Sequence, residues 1–346
     1  MTTSSPEPDQ PHRMPIEQLR FSGQLPSPKG VALAIMEICR RDDARIDEIA
    51  RVVQTDPALT SRILQLANTA AANGTGRPFV AVSEAVMRLG MTTVRQLAVG
   101  FSLVDQYQSG PCEAFDYAHF WSHALLMAVA CQALANQSGI GSPDELFACG
   151  LMARIGCLAL ATVHPVVYGS LLAECEDDRQ LAALEQERLQ TDHNAFTAAI
   201  LADSGIPKAL AEPVCHHEAP DQAGFAEGSR PYQLVRLFHH ARRIADMGLA
   251  PEDKRGGLIA ELFLLDGRLG LDGTEVGELV DRILARWREW SELLKVPARR
   301  LPPFTTMAEA PAPKAAELKT MAMRVLLVED EPTSRVIIEA QLRSLA

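Results

Sequence analysis

The sequence predicts an all-α protein: an N-terminal helical subdomain over 23–108, a second helical bundle over 109–296, and a short C-terminal β-α unit at 323–346. Three observations carry this. Apolar residues recur at intervals of three and four through both halves, the spacing of one helix face, and strand-like alternation is absent from the first half. Hydrophobic residues make up 47% of the 346 but aromatics only 5%, so the core must be Leu, Ala, Val and Ile, as in helix-on-helix packing. Helix start and stop signals (Asp-Pro, Gly, Ser-Gly-Pro) come at short intervals.

Residues 1–22 are rich in Pro, Ser and Gln and read as a disordered tail. The first helix, within 28–41, places Val31, Leu33, Ile35, Met36 and Ile38 on its apolar positions. The second, 46–55, carries Asp47 and Glu48 at the positive end of its dipole. Asp56-Pro57 is an N-cap acceptor followed by Pro at the first helical position, opening a helix that buries Leu59, Ile63, Leu66 and Ala67. Asn68, polar on this apolar stretch, is expected to bond a neighbouring backbone carbonyl rather than act as a ligand. Residues 72–78 read as a loop, and two helices follow, 83–89, ended by Gly90, and 92–107.

Ser109-Gly110-Pro111 breaks the chain, and a long helix at 117–138 carries Trp121, His123, Leu126 and Val129. The stretch 145–165, ELFACGLMARIGCLALATVHP, reads as a central helix apolar on nearly every side. Gly150 and Gly156 within it imply close backbone approach to another element, and Arg154 is the one strongly polar residue between Phe147 and Leu160. Helices at 168–176 and 180–191 are joined by Glu176-Asp177-Asp178, read as a solvated acidic turn. His193 begins another helix, and Ile206-Pro207 starts the one ending in His216-His217-Glu218. Helices at 231–247, 252–266 and 274–294 complete the bundle. In the first, His239-His240 beside Arg242-Arg243 reads as a solvated basic patch; in the last, Trp287 and Trp290 clamp the helix onto the body.

Residues 297–322, with Pro302-Pro303 and a Pro/Ala run, read as an extended linker. The segment 323–328 (MRVLLV) is a buried-strand pattern, followed by Glu329, Asp330 and a helix over 333–345.

A net charge of −11 and a pI near 5.3 argue against a nucleic-acid footprint. The composition predicts no membrane span and no signal peptide, and the seven cysteines, without CxxC spacing, read as free core thiols in a cytoplasmic protein.

Several stretches resemble one family. Gly150-Leu151-Met152-Ala153-Arg154-Ile155-Gly156 is similar to the G-L-L-H-D-I-G signature of the HD phosphohydrolase superfamily, with Ala153 and Arg154 where the metal-binding His and Asp would stand. Asp56-Pro57-Ala58-Leu59-Thr60-Ser61-Arg62-Ile63-Leu64-Gln65-Leu66-Ala67-Asn68 closely resembles the DPaLtarlLrlaN segment of the HDOD family, the HD-related output domains that lack the ligand set. Leu25-Pro26-Ser27-Pro28, one residue short of the LPxLP spacing, Ser83 to Gly90, Trp121-Ser122-His123 and His216-His217 extend the match over about 21–290. This implies an HD-like second subdomain, with His123, Ala153, Arg154, His193, His216 and His217 at the degenerate site positions. Likewise 323–346 resembles the opening β1-α1 of a response-regulator receiver, whose acidic pair, here Glu329 and Asp330, holds Mg²⁺ in a complete domain. The sequence stops at Ala346, before the phosphoacceptor, so this is read as a truncated receiver start.

The expectation is therefore a non-catalytic signalling module with no cofactor of its own, coupled to a phosphorelay receiver. Its partners would be signalling proteins: a histidine kinase through the complete receiver, and cyclic-diguanylate turnover proteins. Oligomeric state is left open. The rival is a metal-dependent phosphohydrolase, which needs His123, His193, His216 and His217 to converge and a substitute for the missing His-Asp pair. In a third reading the old cleft binds a nucleotide without turnover, Arg154 contacting phosphate instead of forming a salt bridge to a carboxylate.

Overall fold

Asp56 Oδ1 accepts hydrogen bonds from the backbone N–H groups of Ala58 and Leu59 at 2.9 and 3.0 Å, so the Asp-Pro signal does open a helix. That helix, α3 (Pro57–Ala71), follows α1 (Val31–Cys39) and α2 (Ile46–Gln54), and precedes α4 (Val82–Leu89) and α5 (Met91–Gln106). Leu59, Ile63 and Ala67 of α3 are buried four residues apart, giving one face to the core. Arg62 ties α3 to α5 through Asp105 at 2.9 Å, with its guanidinium 4.0 Å from the centroid of the Phe101 ring. Gly90 separates α4 from α5 at φ +83°, a left-handed conformation that side-chain-bearing residues rarely adopt.

This computed structural model describes residues 26, 30–39, 41, 43–71, 79–175, 177–267 and 273–309, all within one unit, 1–310. The expected tail, the 72–78 loop and the receiver-like unit with Glu329 and Asp330 lie outside the described residues. Every regular element among the described residues is helical.

Asn68 meets the backbone of Phe79 twice: its Nδ2 donates to the Phe79 carbonyl at 3.0 Å and its Oδ1 accepts from the Phe79 N–H at 2.6 Å. One amide side chain thus satisfies both polar groups of a residue eleven positions on. Asn68→Ala is expected to cost about 2 kcal/mol, read as a lower urea midpoint with unchanged slope.

The second half is organised on α6 (Tyr117–Ser138). Asp116 caps it by accepting from His119 N–H at 2.8 Å, and its centre, from Phe120 to Cys131, is buried on all sides. α7 (Pro143–Met152) lies along it, and a Cβ on Gly150 would stand 2.9 Å from the Ala128 Cα. The expected single helix over 145–165 is in fact two. Ala153 and Arg154 form a turn, Arg154 leaving helical geometry at φ −118° and ψ 20°, and α8 (Ile155–Val163) restarts beyond it. Arg154, at the turn, reaches carboxylates described below, and Gly156, just beyond it, presses against the His193 carbonyl. By length and composition, α6 and the α7–α8 stretch are apolar enough to cross a membrane, contrary to the reading from sequence. The apolar window in each is 78% buried inside the protein, as in core helices.

There follow α9 (Pro165–Glu174), α10 (Asp178–Leu189), α11 (His193–Asp203), α12 (Lys208–Cys215), a 3₁₀ turn at Pro220–Gln222, α13 (Arg230–Leu249), α14 (Glu252–Gly267) and α15 (Gly273–Leu294). Trp287 and Trp290 are buried, the latter 4.9 Å from the Phe147 ring. The first part of the Pro-rich stretch read as linker packs on the body: α16 (Phe304–Glu309) inserts the fully buried Phe304, and Ser122 Oγ donates to the Pro297 carbonyl at 2.6 Å. Phe304 N–H also donates to Asp281 Oδ1 at 2.7 Å, so the stretch is held by polar bonds as well as by this buried ring. All seven cysteines are free, and burial pushes the Cys149 thiol up to about 12, which makes it unreactive.

Candidate functional site

Arg154 leads to the site. From the α7–α8 turn its Nη2 donates to Asp178 Oδ1 at 2.6 Å, and its Nε lies 3.5 Å from Glu218 Oε1. Asp178 also accepts from Arg242 of α13. Arg242 in turn faces Glu218 Oε1 and Asp246 Oδ2, each at 3.9 Å. One carboxylate is thus shared by two guanidiniums that come from opposite ends of the bundle sequence.

His193 lies deeper, fully buried. Glu185 Oε2 is 2.7 Å from its Nδ1 and also accepts from its backbone N–H at 2.8 Å, while Glu218 Oε2 is 2.9 Å from its Nε2. Both ring nitrogens face carboxylates, so both carry protons. Burial opposes the imidazolium, but the Cys157 sulfur and the Glu218 and Glu185 carboxylates outweigh it and hold the pKa well above the usual value. Burial pushes the Cys157 thiol up. Glu218, despite burial, is held well below the ordinary carboxylate range by His193 and Arg154.

His123 stands on α6 with Nε2 2.8 Å from Asp246 Oδ1. Asp246 also accepts from Arg243 at 2.8 Å, and Arg243 pairs with Glu261. Burial opposes ionisation of Asp246, but His123, Arg242 and Arg243 keep its carboxyl well below the usual range.

Of the residues singled out from sequence, Arg154 and His193 meet through Glu218, and His123 joins through Asp246 and Arg242. Ala153 is fully buried and contributes no donor. His216 is exposed and lies edge-on to Phe225 at 5.7 Å. His217 is buried and donates from Nδ1 to the Val214 carbonyl at 2.6 Å; burial pushes it down to about 3, so it is neutral. The four histidines therefore do not converge. Among the described residues no group of three or more His, Cys, Asp or Glu has an arrangement that would hold a metal ion.

Two readings from sequence are corrected. Asp178 is not a solvated turn residue, because two arginines claim its carboxylate. Arg242 is not on a solvated basic face: it is 8% exposed and belongs to the cluster. Asp178, Glu185 and Asp246 carried no sequence signal that led to them. A signal for Arg242 was present, since it falls on one face of α13 with the buried Phe238 and Ala245.

Beside Arg154 a cleft of about 350 Å³ opens between the start of α6, α9 and α10. Phe115, Phe120, Met127, Tyr168, Leu172 and Leu181 form its apolar walls, and His119, His123, Arg154 and Asp178 its polar end.

A family model for the HDOD domain matches residues 25–220. No curated protein shows a significant match. Among solved structures, the MmoQ response regulator of Methylococcus capsulatus str. Bath is 38% identical over 72% of this chain and 95% of its own, with a TM-score of 0.46. A protein from Shewanella amazonensis SB2B, provisionally assigned as a phosphohydrolase, is 26% identical over 80% of this chain and 96% of its own (TM-score 0.61). An HDOD-domain protein of unknown function from Geobacter sulfurreducens has the same fold at 18% identity, covering 78% and 97% of the two chains (TM-score 0.56).

Proposed function

The chain belongs to the HDOD-domain family, and on that premise we propose that it is a non-catalytic bacterial signal-transduction module that acts by docking on protein partners. One observation carries the reading. At the positions that resemble the metal-binding His-Asp pair, Ala153 offers no ligand and Arg154 places a guanidinium against Asp178 and Glu218. A divalent cation there would meet a fixed positive charge, and the carboxylates that would attract it are already neutralised.

The Methylococcus relative is a response regulator, which supports coupling to a phosphorelay. In the proposed arrangement the receiver begun at 323–346, with Glu329 and Asp330 on Mg²⁺ in its complete form, takes phosphate from a histidine kinase. The helical body passes that state to a partner, for which cyclic-diguanylate turnover proteins are the first candidates.

Two measurements test this. Elemental analysis after exposure to Mn²⁺, Fe²⁺ and Zn²⁺ and desalting is expected to find no stoichiometric metal. Bound metal lost in His123→Ala would restore the hydrolase reading and sink this one. The chain used as bait is expected to retain a signalling protein, and recovery of none would count against docking.

A further inference from the structure

Arg154 and Arg242 are an unusual use of two guanidiniums. They reach one carboxylate, Asp178, and each keeps a buried Nε that makes no hydrogen bond. Arg154 Nε lies 3.5 Å from Glu218 Oε1, and Arg242 Nε lies 3.9 Å from Asp246 Oδ2 with its Nη1 3.9 Å from Glu218 Oε1, ion-pair distances longer than a good hydrogen bond. Buried N–H donors without partners are costly, so the pair has donor capacity that Asp178 does not fill.

Of the carboxylates that meet Arg154 or Arg242, Asp178 is the most accessible, with 27% of its side chain exposed against 21% for Asp246 and 7% for Glu218. It sits at the start of α10, whose fully described side chains bury only Leu181 and Glu185. Asp178 and Leu181 both line the cleft, so the first turn of α10 forms one of its walls. With Asp178 moved aside, Arg154, Arg242, Arg243 and His193 face Glu185, Glu218, Asp246 and Glu261 in equal number. A monoanionic ligand would then restore the charge that Asp178 brought.

We propose that Arg154 and Arg242 form an anion-binding site for an organic phosphate ester, that its apolar body lies in the cleft against Phe115, Phe120 and Leu172, and that Asp178 is an internal occupant which the ligand displaces. Guanidinium forks match phosphate oxygens in pairs, which gives the ligand more donors than a single carboxylate uses. The cleft walls supply the apolar contact that separates an ester from free phosphate. This site is separate from partner docking and requires no turnover.

The displacement makes the sign of one mutation unusual. Asp178→Asn removes the competing charge, so it should tighten anion binding although it deletes an ion pair. The probes are diphenyl phosphate, a monoanion, with inorganic phosphate and phenol as controls, titrated calorimetrically into the whole chain. The expected result is saturable binding of diphenyl phosphate, about tenfold tighter in Asp178→Asn and about tenfold or more weaker in Arg154→Gln and Arg242→Gln. Phenol and inorganic phosphate should bind at least tenfold more weakly than the ester. Where Arg154→Gln does not fold, as judged by circular dichroism, Arg154→Lys keeps the charge without the fork and should also weaken binding. Absence of binding to both wild type and Asp178→Asn, or affinity unchanged by Asp178→Asn or by the arginine variants, overturns the proposal.

Discussion

Gly156→Ala is expected to abolish the fold or lower its melting temperature by about 10 °C or more. A Cβ on Gly156 would stand 1.8 Å from the His193 carbonyl oxygen and 2.8 Å from Thr197 Oγ1. Neither neighbour can turn away cheaply. The first is backbone, and the second accepts from the Gly156 N–H at 3.0 Å, a bond that fixes α8 against α11. Relief requires separating the two helices, at a cost of about 3 kcal/mol or more. It would also move His193, whose backbone and ring are both held by Glu185. Gly257 is the control. A Cβ there meets nothing within 4 Å, and the residue lies inside α14, so Gly257→Ala should stabilise by about 0.5–1 kcal/mol. Thermal melts followed by circular dichroism should show opposite shifts for the same chemical change. Equal shifts would mean that the α8–α11 contact is not as close as described.

The second large effect is expected at His193. Replacing it with Gln leaves Glu185 and Glu218 buried beside a neutral amide. Breaking a buried ion pair on one side costs about 3–5 kcal/mol. Its pH dependence gives a sharper signature. The folded-state pKa of His193 is raised, so its contribution is fully present below the unfolded value of 6.5 and is lost as pH rises through the folded value. His217 has the opposite sign. Depressed to about 3, it favours the neutral form, so its contribution is present above 6.5 and is lost as pH falls towards 3. Glu218, held below its ordinary value of 4.5, adds stability that is present above 4.5 and disappears on further acidification. Urea unfolding between pH 6.5 and 8.5 should therefore show wild-type stability falling with pH, and His193→Gln should flatten that limb. On the acid side, His217→Gln should flatten the fall below pH 6.5. If His193→Gln were to leave the alkaline slope intact, the imidazolium assignment would fail.

Much of the fold could be read from local patterns because the relevant physics is local. Asp56-Pro57 announced α3, the apolar run around Trp121 and Leu126 announced α6, and the two glycines of 145–165 announced close helix contacts. Arg154 stands out in the sequence as a charge in an apolar run, and a salt bridge is one role such a residue takes. Its partners were hidden for a plain reason: Asp178 is 24 residues from Arg154 and 64 from Arg242, so no periodicity connects them. Asp178 was read by its acidic neighbours, which do lie at the surface or outside the described residues. The break at Ala153–Arg154 was hidden too, since neither residue is a helix breaker. Phe304 was masked by the Pro-rich composition around it.

The guanidiniums of Arg154 and Arg242 have one further consequence, which concerns mass action. A carboxylate cluster neutralised by a diffusible ion is stabilised only while that ion exceeds its dissociation constant. Here the neutralising cations are tethered to α13 and to the α7–α8 turn by covalent bonds, so their effective concentration is set by the chain itself. The stability that Asp178 and Glu218 draw from these two arginines is the same in a metal-starved cell as in a metal-replete one.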